Sequence, residues 1–198
     1  MKIQEIITNY HQLTSEQSHL IRSACGTFIH ATDTPLLKNL NNDSLLSRVK
    51  VRFHKRNDQF VEVFNEALMK KYNIANIHQR CIFANGPDSF VPNKSVTPYY
   101  VFPIDGYRFL YSRGVKDANE QLRDTMNNLS LELDDADDEA SRIMHDLLQY
   151  TYESTDLEQG IVEGCEVIVY NIPYYYAINA KQFPIYEQLL SNLKGRSI

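Results

Sequence analysis

Apolar residues recur along this chain with two different periods. In residues 48–54, RVKVRFH, the apolar side chains Val49, Val51 and Phe53 alternate with polar ones, and this alternation predicts a half-buried strand. An apolar stripe with helical spacing follows over residues 58–72 and predicts a helix. The local unit is therefore a strand followed at once by a helix.

Helical spacing recurs in four other stretches. Thr14 begins a capping motif ahead of an apolar stripe, which predicts a first helix over 15–29. A further helix is predicted over 117–129, and the clearest helical pattern in the chain covers 138–151. The last helix is predicted from 184 to about 193, because proline is tolerated in a first helical turn.

Short runs of β-branched and aromatic residues predict the remaining strands. These runs cover 80–84, 99–103, 107–112 and 165–178. The second and third runs flank Ile104-Asp105-Gly106, and a three-residue gap containing Asp-Gly predicts a hairpin. Asn171-Ile172-Pro173 divides the last run into two strands, which we expect to form a pair.

Two stretches have the composition of connections. Residues 31–47 are rich in Asn, Asp, Thr and Pro, which predicts an irregular, exposed segment. Residues 85–98 contain Gly86 and three prolines and predict a long loop. Long loops in compact domains are often functional.

The order of these elements predicts the α+β class, with a mainly antiparallel, split sheet and flanking helices. At 198 residues with 43% hydrophobic composition, the chain fits a single domain with a full core. Within it we expect a helical N-terminal segment over 1–45 and a mixed α/β core over 46–198.

Charge and cysteine usage narrow the class of protein. A formal charge of -5 disfavours nonspecific binding to nucleic acid. The three cysteines are widely spaced and form no C-x-x-C pair, which predicts free thiols in a reducing cytoplasm. No apolar run approaches the roughly 20 residues of a membrane helix, and the N-terminal residues lack a signal-peptide core. We therefore expect a cytoplasmic protein without membrane contact.

Several kinds of site are disfavoured by their missing motifs. The chain contains no G-x-S-x-G, H-E-x-x-H, phosphate-loop or G-x-G-x-x-G sequence. Acidic residues cluster over 134–139, where they favour a helix N-terminus, and they lack calcium-loop spacing. The six histidines show no metal-ligand spacing. We therefore expect no metal site.

Three polar residues at strand positions remain as candidates for chemistry. They are Arg52, Ser112 and Glu166, and Glu166 is the single acidic residue in GCEVIVYNIPYYYAI, residues 164–178. Their order resembles the R-S-E arrangement of ADP-ribosyltransferases over roughly residues 48–180. The passages RCIFANGPDSF and YYVFPIDGYRFLYS are similar to uncharacterised phage and bacterial chains of this type.

The resemblance implies a split antiparallel sheet and NAD as cosubstrate, with two catalytic residues. Glu166 would stabilise the positive charge that develops on ribose when nicotinamide leaves. Ser112 would position NAD or the strand that carries Glu166. The implied acceptor is an intracellular target, a protein rather than nucleic acid.

The resemblance also implies a set of residues that bind NAD. A guanidinium matches phosphate by paired hydrogen bonds, which favours Arg52 as the phosphate anchor. Arg56 and Arg80 are further candidates for this role. Tyr107 and Tyr111 would provide a stacking surface for nicotinamide.

The chain departs from the family pattern at two places. Gly164 occupies the position where the family motif has a second acid or amide. The middle motif of the family contains a Ser-Thr-Ser triplet. At the corresponding positions this chain has Leu110-Tyr111-Ser112, so it keeps only the last serine. These departures leave the acceptor group undetermined.

Two other functions remain open at this point. A non-catalytic, phage-type inhibitor or binding module that engages a host or toxin protein is favoured by the 13 tyrosines, which suit an interface. A nucleic-acid-binding protein is favoured by the basic strip RVKVRFHKR, residues 48–56. The net negative charge weighs against the second of these.

Overall fold

The computed structural model describes residues 2–9, 13–51, 59–77, 80–93, 95–113, 115–117, 124 and 152–182. These residues form an α+β fold. Its described helices are Ile3–Asn9 (α1), Ser15–Ala24 (α2), Gly26–Ala31 (α3), Gln59–Tyr72 (α4) and Leu157–Val162 (α5). A 3-10 turn at Ala180–Gln182 follows the last strand.

Eight strands form one sheet. They are Leu36–Leu40 (β1), Leu46–Lys50 (β2), Ile82–Asn85 (β3), Thr97–Pro103 (β4), Arg108–Ser112 (β5), Tyr152–Glu153 (β6), Glu166–Tyr170 (β7) and Tyr174–Asn179 (β8). Their order across the sheet is β2-β8-β4-β1-β3-β7-β5-β6, and every described pairing is antiparallel. The expected α+β class with a mainly antiparallel sheet is confirmed.

The sheet narrows to a single bridge at its centre. β1 and β3 share the one register pair Leu37↔Asn85, whereas β1 and β4 pair at five positions. Beyond the bridge, Lys38 Nζ donates a hydrogen bond to the carbonyl oxygen of Phe83 at 2.8 Å. The sheet therefore consists of two four-stranded halves, β2-β8-β4-β1 and β3-β7-β5-β6, which separate next to Lys38.

Two short connections cross between the halves, and this overturns two expectations about pairing. β4 and β5 flank the turn at Asp105 and Gly106, but β4 pairs with β1 and β8 while β5 pairs with β6 and β7. The expected hairpin is therefore wrong, and so is the expected pairing of β7 with β8. Asn171 Nδ2 donates to Gly106 O at 2.9 Å, which ties the two crossovers together.

Local patterns also misplaced some element boundaries. The segment 31–47, expected to be irregular, contains β1, so the N-terminal 45 residues are not wholly helical. The helix expected over 15–29 is two helices that meet at Cys25. The strand expected over 48–54 runs from Leu46 to Lys50 in the described part of the chain, and α4 agrees with the expected helix. The helices expected over 117–129, 138–151 and 184–193 lie outside the described residues, apart from Asp117 and Asp124.

β7 is buried on both of its faces. Val167 and Val169 belong to a large apolar core with Tyr111. Ile168 and Tyr170 face the opposite way and belong to a second core built on α4. Because successive side chains of a strand point to opposite faces, Glu166 lies on the α4 side.

The carboxylate of Glu158 on α5 stabilises the turn that leads into β1 through hydrogen bonds. It accepts hydrogen bonds from the hydroxyl of Thr32, from the backbone N–H of Asp33 at 2.9 Å, and from both the N–H and the hydroxyl of Thr34. Burial alone raises the pKa of Glu158, but these hydrogen bonds outweigh burial and hold the pKa below its usual value. The contact joins residues more than 120 positions apart in the chain.

The Glu158 contact predicts a pH-dependent loss of stability. Glu158→Gln should lower the free energy of unfolding at pH 7 by about 1 to 2 kcal/mol, because the hydroxyl and N–H donors of the turn, most of them partly buried, lose a charged acceptor. Since the folded pKa lies below the unfolded value of about 4.3, the stabilisation is complete above that value and is lost as pH falls through the folded pKa. Urea unfolding at pH 7 and pH 3 measures both effects. The exposed Glu62→Gln is the control, and an equal loss at both pH values would contradict the prediction.

Two glycines allow α5 to approach the sheet closely. A Cβ atom at Gly160 would lie 2.7 Å from ring atoms of Tyr111 on β5. A Cβ atom at Gly86, which follows β3, would lie 2.3 Å from the backbone oxygen of Ile161. Both distances are shorter than van der Waals contact allows. α5 can therefore pack this closely only because Gly160 and Gly86 have no side chain.

Gly160→Ala should therefore destabilise the fold by about 1 to 3 kcal/mol, the usual cost of overfilling a packed core. Gly26→Ala is the matched control, because the nearest atom to its added Cβ is 3.9 Å away. Thermal unfolding of both variants separates the steric effect from the general effect of replacing glycine in a helix. Equal melting temperatures for the two variants would refute the close approach of α5.

Candidate functional site

A row of polar side chains crosses neighbouring strands on the α4 side of the sheet. Asn85 on β3 lies opposite Glu166 on β7, and Ser112 on β5 lies opposite Tyr152 on β6. Because Tyr111 pairs with Val167, the next residue, Ser112, lies beside Glu166 on the same face. We call Asn85, Glu166, Ser112 and Tyr152 the polar row.

The polar row is largely withdrawn from solvent. Glu166 is 7% exposed, and Ser112 and Tyr152 are each 2% exposed. The segment after β5 passes next to it: the backbone N–H of Glu166 donates to Val115 O at 2.7 Å, and Asn85 Nδ2 donates to Lys116 O at 2.8 Å. These bonds hold residues 115–116 against the ends of β7 and β3.

Lys38 and Cys81 lie within the electrostatic reach of Glu166. Burial lowers the pKa of Lys38, whereas the negative charge of Glu166, and that of Cys81 when its thiol is ionised, act in the opposite direction. Burial raises the pKa of the Cys81 thiol, the ammonium of Lys38 opposes that rise, and Glu166 adds to it. The half-buried ammonium of Lys38 therefore lies within electrostatic reach of the buried carboxylate of Glu166 and of Cys81, and with the polar row these groups form one largely buried cluster.

Tyr152 is held firmly through its backbone and its ring. Its carbonyl oxygen accepts hydrogen bonds from Tyr72 Oη at 2.5 Å and from Lys71 Nζ at 2.7 Å, both on α4. Its ring meets the ring of Phe64 edge-on, with centroids 5.7 Å apart. Burial raises the pKa of its hydroxyl, and Glu166 and Cys81 add to that rise. The side chain is thus fixed within the field of the buried cluster.

Of the residues chosen from sequence, the structure brings together Ser112 and Glu166. Arg80 precedes β3, whereas Asn85, opposite Glu166, ends it, so Arg80 lies at the far end of the strand. Arg52 and Arg56 lie outside the described residues. Their assignment as phosphate anchors stays a prediction.

The two tyrosines proposed to stack on nicotinamide lie away from the polar row. Tyr111 is fully buried on the opposite face, against Gly160 and stacked on Phe109. Tyr107 precedes the other end of β5, where its ring contacts Phe28 at 5.7 Å between centroids. Burial, with Asp105 adding, raises the pKa of its hydroxyl to about 12. This geometry does not favour a stacking role for either ring beside Glu166.

Sequence reasoning missed Lys38, Asn85 and Tyr152. Lys38 fell in a stretch interpreted as irregular, although LLKNL, residues 36–40, is apolar enough for a strand. Asn85 was assigned to a loop, and Tyr152 follows directly on a helical pattern. The run YTYES, residues 150–154, has the β-favouring composition that could have indicated β6.

Comparisons with known proteins add no assignment: no family model, curated protein or solved structure matches this chain. Among the described residues, no helix has the length and apolar composition needed to cross a membrane. The same residues contain no group of three or more His, Cys, Asp or Glu side chains placed to bind a metal ion. The function must therefore be argued from the buried cluster itself.

None of the three cysteines forms a disulfide, and all three are buried. Burial, with Asp105 adding, raises the pKa of Cys25 to about 12, and its thiol donates to Phe102 O at 3.4 Å. We expect an aromatic disulfide reagent to label the native protein slowly at pH 8, because all three thiols are buried and burial raises the pKa of Cys25 and Cys81. In guanidinium chloride all three thiols should react. Rapid labelling of one thiol in the native protein would contradict this prediction.

Proposed function

We propose that the protein is an NAD-dependent ADP-ribosyltransferase that modifies an intracellular protein, with Glu166 as the catalytic carboxylate. The observation that carries the proposal is the placement of Ser112 and Glu166 side by side on one face of adjacent strands. The register pair Tyr111↔Val167 supports this placement, because the next residues on the two strands are Ser112 and Glu166, which are 54 positions apart in sequence.

The chemistry needs a fixed negative charge beside ribose. The bond between ribose C1′ and the nicotinamide nitrogen breaks, and its electron pair leaves with neutral nicotinamide. The ribose carbon then carries oxocarbenium-like positive charge, which the carboxylate of Glu166 stabilises. A nucleophile of the acceptor attacks C1′ and releases a proton. Burial strengthens this stabilisation, because water screens the charges less.

The residues around Glu166 fit this role. A buried carboxylate is costly unless positive charge compensates it, and the ammonium of Lys38 lies within electrostatic reach. The hydroxyl of Ser112 is a neutral donor and acceptor beside the carboxylate, suited to orient it or to bind a ribose hydroxyl. Arg52 and Arg56 remain the candidates for the phosphates of NAD.

The binding-module alternative loses its main support in the described part of the chain. That alternative relied on tyrosines available at the surface. Every tyrosine that the structure describes is buried or half-buried: Tyr72, Tyr99, Tyr100, Tyr107, Tyr111, Tyr152, Tyr170, Tyr174, Tyr175 and Tyr176. These rings fill the two cores and their margins, where packing explains their abundance.

Glu166→Gln tests the proposal. The amide keeps the size of the side chain but removes the charge that favours the transition state. We expect nicotinamide release from NAD in the presence of cell extract to fall about a hundredfold or more, with little change in melting temperature. Release is followed by chromatography, and transfer by the label incorporated from NAD labelled in its adenylate part.

Glu163→Gln is the matched control, since Glu163 is an exposed glutamate three residues earlier, in the turn before β7. It should retain the wild-type rate. Equal release from wild type and Glu166→Gln would overturn the role of Glu166. Absence of release from the wild type, together with no thermal shift in NAD, would overturn the proposed function.

A further inference from the structure

The hydroxyl of Tyr152 is a buried polar group that the described fold leaves unsatisfied. Its side chain is 2% exposed, and Tyr152 Oη has no hydrogen-bond partner in the part of the chain that the structure describes. Proteins rarely leave a buried hydroxyl unpaired, because the group has given up its bonds to water. Phenylalanine would pack the same ring against Phe64 without this cost, so packing does not explain the hydroxyl.

The Tyr152 side chain lies on the same face of the sheet as Ser112 and Glu166. Tyr152 lies on β6 at the edge of the sheet, and its pairing partner on β5 is the small residue Ser112. The charge of Glu166 on β7, and that of Cys81 next to β3 when its thiol is ionised, act on the Tyr152 hydroxyl in addition to its burial. Glu166 and Cys81 are separated from β6 by β5, and both lie within electrostatic reach of the Tyr152 hydroxyl.

We propose that Tyr152 Oη donates a hydrogen bond to an oxygen of the ribosyl group bound at Glu166. This inference rests on the proposed function and specifies how its substrate is held. A ribose presents several oxygens on adjacent carbons, so one can accept from Tyr152 while the sugar carbon faces the carboxylate. The ligand thereby supplies the hydrogen-bond acceptor that the Tyr152 hydroxyl lacks in the described fold. Tyr152 then contributes to substrate binding rather than to charge stabilisation.

Tyr72 offers a contrast within the same region. Its hydroxyl donates to Tyr152 O at 2.5 Å, so its bond is already made within the protein. Removing the Tyr72 hydroxyl breaks an existing contact, whereas removing that of Tyr152 removes an unpaired group. The two substitutions to phenylalanine should therefore have different effects on the melting temperature and on substrate binding.

The experiment compares Tyr152→Phe with Tyr72→Phe, using NAD as the probe. For Tyr152→Phe we expect the melting temperature without NAD to be unchanged or higher, the KM for NAD to rise about threefold to tenfold, and kcat to change little. For Tyr72→Phe we expect a lower melting temperature and an unchanged KM. Nicotinamide release gives the KM and kcat values, and thermal unfolding gives the melting temperatures.

Three outcomes would overturn the inference. If the KM of Tyr152→Phe is unchanged while the wild type cleaves NAD, the hydroxyl does not contact the ligand, and the proposed function is unaffected. A melting temperature that falls as much as in Tyr72→Phe shows that the hydroxyl is already bonded within the protein. A wild type that neither cleaves NAD nor shifts its melting temperature in NAD overturns both the inference and the proposed function.

Discussion

Burial of β7 on both faces is the constraint on which the rest of the fold depends. Its alternating side chains enter two separate cores, one shared with the other half of the sheet and one built on α4. A strand buried on both sides must pair along both edges, and β3 and β5 supply those pairings. The four-stranded half around β7 is thereby fixed, and α4 has one face on which to pack.

The same constraint creates the candidate site. Glu166 is the first residue of β7, so a strand that is otherwise apolar carries its carboxylate to the edge of the α4 core. Polar residues of β3 and β5 then gather around it through register alone. The sheet separates next to this point, beyond the bridge at Leu37 and Asn85, and Lys38 brings its ammonium into the gap.

A buried cluster of this kind is weak as a source of stability. Desolvating an ammonium and a carboxylate offsets most of their attraction, and apolar residues of the same volume would serve the core as well or better. Sites where local rules for stability are broken are often functional. Stability instead comes from the apolar cores and from long-range contacts such as the one Glu158 makes with the turn before β1.

The sequence by itself determined the α+β class, the helix at 59–72, most strand cores, and the choice of Ser112 and Glu166, because period and residue type are local properties. It could not determine which strands pair, since a short turn between β4 and β5 is equally compatible with a hairpin and with a crossover between halves. Nor could it identify Lys38 and Tyr152, because the strand-like composition of residues 36–40 and 150–154 does not show which side chains from other strands they meet. Only tertiary structure decided these points, because pairing across the sheet and burial on two faces depend on residues far apart in the chain.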